Sequence, residues 1–156
     1  MSITISRPGA GLVAEAIANL AGVNYNVSWG YYGDFPLHKI HDCETVYLLG
    51  LAPSPTTMHH LLDVLRCEVI FIDCRDANID EMKKIPPHDK LQLICDETTS
   101  MEELTWKYFF PDKGVPAAVD LYGRYMIWDL DEEVIKFHYG TMPLDTYNRD
   151  TWTDLI

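Results

Sequence analysis

A chain of 156 residues, 47% hydrophobic and 23% charged, is long enough to bury one ordinary core and too evenly mixed to be disordered. Its formal net charge of −12, from 12 basic against 24 acidic residues without a basic run, argues against long nucleic acid as a partner, since backbone binding draws on clustered Lys and Arg. No apolar run approaches a membrane span, and the first residues lack the basic and apolar regions of a signal peptide, so a cytoplasmic protein with no membrane partner is expected.

Taken in order, SITIS at residues 2–6 alternates as a short first strand. The turn Arg7-Pro8-Gly9-Ala10-Gly11 leads into LVAEAIANLAG, apolar at helical spacing, with Gly22 as the stop. Its glycines fit neither the dinucleotide nor the Walker pattern, and close backbone packing is the better reason for them. Residues 23–29 read as a second strand and residues 30–43 as a loop. His38 and His41 would suit a metal only on a helix, and Pro36 argues for loop instead. VYLLGL at residues 46–51 reads as a third strand, followed by Ser54 as an N-cap and Pro55 as a first helical residue.

In the helix TTMHHLLDVLR, Met58, Leu61, Leu62 and Leu65 share a face. The neighbours His59 and His60 point about 100° apart, so they cannot chelate one ion together. Next comes EVIFIDCRDAN, at residues 68–78. Its run 69–72 reads as a strand buried on both faces of a parallel sheet, ending in Asp73, where open α/β sheets put their ligand sites. Asn78 is then expected to cap a short helix, IDEMKKI, stopped by Pro86-Pro87. LQLIC reads as a fifth strand, again ending in an acid, Asp96. Ser100-Met-Glu-Glu103 forms a capping box ahead of LTWKYFF. A helix with Pro116 in its first turn, then a turn and a further helix or two, complete the chain. The four cysteines, Cys43, Cys67, Cys74 and Cys95, show no CxxC spacing, so neither a zinc ribbon nor a disulfide framework is indicated.

These elements predict a single domain over residues 1–156, of α/β class, with a mainly parallel sheet of about five strands and helices on both faces. Several phrases also resemble the DHH phosphoesterases, in particular short members carrying the catalytic domain alone. The phrases are EVIFIDCRDAN, SMEELTWKYFFP, GRYMIWDLDEEVIKFHYG and, more loosely, GLVAEAI. In that family the central strand ends in Asp-His-His and helps to hold two divalent ions. The resemblance therefore implies a DHH-like domain and, where the motifs are intact, a Mn- or Mg-dependent phosphoesterase acting on nucleotides or short oligonucleotides.

The motifs are not intact. Positions matching the first motif are Ile5 and Ala10, the second motif's aspartate is Gly50, both histidines are Cys74 and Arg75, and a later aspartate is Met126. Asp73 and Asp96 survive as the weak metal candidates, either for one Mg²⁺ or, with Cys74 and Cys95, for a softer ion. Two-metal hydrolysis needs several carboxylates and imidazoles, and a permanent cation at Arg75 opposes it. The expected remnant cleft is Asp73, Cys74, Arg75, Asp96 and Arg124. Either the arginines gather there with Arg7 to meet a phosphate, or they pair with Asp73, Asp76 or Asp129 as struts. No catalytic residue and no cofactor are expected. The expected partner is a small phosphorylated ligand or another protein, including a second copy in a homodimer. The alternative is a divergent but active metal-dependent phosphoesterase. Short relatives are often carried by phages, and the resemblance implies such an origin.

Overall fold

The computed structural model describes residues 1–9, 11–30, 34–40 and 43–156. Five strands carry the fold: β1 (Ser2–Ser6), β2 (Tyr25–Ser28), β3 (Thr45–Leu49), β4 (Glu68–Asp73) and β5 (Leu91–Cys95). All pair in parallel, in the order β2-β1-β3-β4-β5. The expected α/β architecture is what the chain adopts.

Register explains how two faces are buried at once. Val27, Ile5, Leu48, Phe71 and Leu93 lie in one row across the sheet, and side chains one step away point to the opposite face. Four of that row, from Val27 to Phe71, join Ile3, Val46 and Val69 in a core against Met58, Leu61, Ile79 and Met82. Those come from α2 (Pro55–His59), its continuation, and α3 (Asp76–Lys83). Leu49, Ile70 and Ile72 face the other way. They pack on Ala14 of α1 (Leu12–Leu20) and on Met101 and Leu104 of α4 (Met101–Phe109). A further layer covers these two helices, from α5 (Ala117–Met126), α6 (Glu132–Thr141) and α7 (Arg149–Leu155). Trp106, Val119 and Trp152 close on Val13 and Ile17 there.

Helix starts follow their caps. The Oγ of Ser54 accepts from the N–H of Thr57 at 3.2 Å, and that of Ser100 from Glu103 at 3.2 Å. Asp131 and Asn148 cap α6 and α7 in the same way. Two local expectations change. The helix after Ser54 turns π-helical over His60–Val64, where the N–H of Leu65 reaches the carbonyl of His60. The loop after β2 contains a short 3-10 turn, Leu37–Lys39. His38 lies on that turn, whereas His41 and Ala10 lie outside the described residues. Among the described residues no helix is long and apolar enough to cross a membrane.

Candidate functional site

After β1 the chain moves to one edge of the sheet for β2, then returns past β1 to place β3 on its other side. Loops diverge at such a reversal, leaving a crevice beyond the carboxyl ends of the strands. A cavity of about 140 Å³ lies there. Arg7 and Gly50 enter it from the ends of β1 and β3, and Asp73, Cys74 and Arg75 from the end of β4. Met101 and Glu102 of α4, with Met126 and Ile127 at the end of α5, complete the wall.

Asp73 is fully buried, and its oxygens are saturated. Oδ1 accepts from the backbone N–H groups of Cys74 at 2.8 Å and Arg75 at 3.1 Å, and from Arg75 Nε at 3.0 Å. Oδ2 accepts from Arg75 Nη2 at 2.9 Å and from the Asn78 side chain. The two-pronged guanidinium–carboxylate pair is the strong form of such a contact. Arg75 Nη2 also donates to the carbonyl oxygen of Gly50. Gly50 has φ of +70°, and a Cβ on it would lie 2.6 Å from Met101 Sδ and 3.1 Å from Arg75 Nη2. A side chain at position 50 and this placement of Arg75 therefore compete for one space. Asn78 does not cap α3, because that helix already starts at Asp76; its amide reaches back to Asp73 instead.

Glu102 lines the same cavity without being marked as a site residue by the sequence. It sits in the first turn of α4 beside the assigned cap, yet it is 1% exposed. Burial pushes its carboxyl up to about 7; the nearby Asp73 charge adds to that, and its own backbone N–H and Arg75 oppose it. Gly123 of α5 lets the helices meet, since a Cβ there would lie 2.1 Å from Ser100 Oγ. The signal available in the sequence was an acid directly after a helix start that itself follows a strand end.

Two expected members of the cleft stand elsewhere. Cys95 is the register partner of Asp73, so Asp96 is one step beyond the pleat and leaves the sheet. It is exposed in a turn, lines a separate hollow with Lys83 and Thr98, and accepts from Thr98 and Thr99. The Thr98 hydroxyl and N–H hold its carboxyl below the usual range. Arg124 is a strut: it donates to Asp129 at 2.8 Å and to Asp131 at 2.6 Å, tying α5 to the start of α6. Ile5, matched to a family histidine, is fully buried in the core.

A pair of divalent ions does not fit these residues. Asp73 has no oxygen to spare, Gly50 has no side chain, and Met126 offers no oxygen. Among the described residues no three His, Cys, Asp or Glu side chains are placed to hold a metal. Burial, then the Asp73 charge, pushes the Cys74 thiol up and the Cys95 thiol to about 11, so neither is a thiolate at neutral pH.

No family model matches this chain, and no curated protein or solved structure matches it significantly either.

Proposed function

We propose that the protein is a catalytically inactive, cytoplasmic relative of the DHH phosphoesterases that binds a small phosphorylated ligand in the crevice between β1 and β3. The observation that carries this reading is the Arg75 guanidinium, held between the Asp73 carboxylate and the Gly50 carbonyl. A fixed cation balances the charge of Asp73 where the resemblance would put a divalent ion. It offers no open coordination position for activating water. Arg7 is exposed at the mouth and has no acidic partner among the described residues, which suits it to phosphate oxygens. A Glu102 carboxyl that stays protonated up to about pH 7 spares an incoming anion one repulsion.

Self-association belongs to the same proposal. Trp128 is 81% exposed, and Tyr139 and Met142 are exposed with it around α6; aromatic residues and methionines are enriched in interfaces. A homodimer is the expected assembly.

Calorimetry with pyrophosphate and, separately, with Mn²⁺ tests the cleft. Pyrophosphate should bind without metal and at least about tenfold more weakly to Arg7→Ala, a charge-assisted contact being worth about 1.5–3 kcal/mol. Mn²⁺ should not bind, and a p-nitrophenyl diester should release no p-nitrophenol. Mn²⁺-dependent release that Asp73→Ala abolishes would replace this reading with an active enzyme.

A further inference from the structure

The crevice does not end at Met126. That side chain also lines a second cavity, of about 300 Å³, between α5, α6 and α7. Its volume is at the lower end of the roughly 300–1,000 Å³ of small-molecule sites. Rings dominate its wall: Tyr122 and Tyr125 from α5, His138 from α6, and Tyr147 and Trp152 from the last segment. Trp152 is accounted for by the core, where it is buried and meets Tyr122 edge-on at 4.6 Å. The others are not. Tyr125 and His138 stack face to face, with centroids 3.9 Å apart and planes 11° apart, so each covers one face of the other and only the outer faces and edges of the pair are left for a further ring. Tyr147 is 85% exposed, so folding leaves a large ring in water at the cavity's rim.

The turn after β1 connects the two cavities. It gives Arg7 to the smaller one and Gly9 to the larger. Gly9 has φ of +75°, and among the described residues nothing outside its chain neighbours lies within 4 Å of where its Cβ would be. A stacked ring pair in the cavity wall, an exposed ring at the rim and a guanidinium on the adjoining turn match two halves of one kind of molecule. We propose that Tyr122, Tyr125, His138 and Tyr147 form a ring-binding subsite, and that the protein's ligand is a planar aromatic ring carrying a phosphate group that reaches Arg7. The phosphate half rests on the proposed function of the crevice; the ring half rests on the aromatic cavity alone.

The probe is 1-naphthyl phosphate, with 1-naphthol and inorganic phosphate as its two halves, titrated into the full chain by calorimetry. The whole probe should bind at least about tenfold more tightly than either half. Stacking on an aromatic side chain is lost on truncation to alanine, with about a tenfold effect. Tyr147→Ala, at an exposed position that folding does not need, should therefore weaken naphthyl phosphate and naphthol by about that factor and leave phosphate unchanged. Arg7→Ala should weaken phosphate and naphthyl phosphate and leave naphthol unchanged. Naphthol binding that is equal in wild type, Tyr147→Ala and Tyr125→Ala overturns the ring subsite, as does a whole probe that binds no better than phosphate. If naphthol binding depends on Tyr147 while phosphate never binds, the subsite stands and the phosphate-binding crevice falls.

Discussion

Arg75 and Gly50 depend on each other. The guanidinium needs the space that a side chain at position 50 would fill, and the carbonyl of Gly50 needs a donor. Arg75→Ala should destabilise the fold by about 2–3 kcal/mol in urea, because buried Asp73 loses its two side-chain bonds from the guanidinium and keeps the rest. Arg75→His supplies an imidazole where the proposed DHH relationship would put one, yet it should not recruit manganese, since Gly50 and Met126 still offer no side-chain oxygen; micromolar Mn²⁺ binding by that variant in calorimetry would contradict this. Glu102 sets a pH dependence. Its carboxyl ionises near 4.5 in the unfolded chain and near 7 when buried. Between those values the folded chain keeps a proton that the unfolded chain has lost, so this group's contribution to stability falls as pH rises from about 4.5 to 7 and is flat above. The loss is about 3 kcal/mol, and Glu102→Gln should remove that slope from urea midpoints measured across the window. The charged pair at Asp73–Arg75 was legible in the sequence as one of two stated options. Glu102 was not, because a capping phrase explains an acid in a first turn without asking whether it is buried.

At the level of elements, caps and buried strands were readable because each is written in contiguous residues. Ser54, Ser100 and the run at 69–72 behave as their local chemistry dictates. The π-helical turn was not readable: Met58, Leu61 and Leu62 keep helical spacing whether the next turn is regular or widened. The close crossing of α4 and α5 was also invisible, because it joins Ser100 to Gly123 across the fold. Gly123→Ala places a methyl 2.1 Å from Ser100 Oγ and 2.9 Å from its Cβ. It should cost about 1–3 kcal/mol despite alanine's better helix propensity. Ser100→Ala should cost about 1 kcal/mol through the lost cap. The double variant should lose less than the sum of the two, since removing Oγ relieves the worst contact; strict additivity in thermal unfolding would contradict that packing.

Taken whole, the molecule has an acidic surface and keeps large apolar side chains in water at Trp128 and Tyr139. Light scattering at high micromolar concentration should give twice the 17.9 kDa of one chain, and a mass of one chain would refute the homodimer. Strand order was only partly legible, for the buried run at β4 placed that strand inside a parallel sheet without naming its neighbours. The same order has a consequence for synthesis. β1 and α1 leave the ribosome early, but the inner face of α1, at Val13 and Ile17, is covered by Trp106, Val119 and Trp152. Until α7 emerges, Trp152 cannot close over that face, and a growing chain carries a greasy helix that is only partly covered, which is the kind of surface a chaperone holds. Nascent chains stalled with α7 still inside the exit tunnel should thus be cut by protease within α1, and chains released with α7 in place should resist.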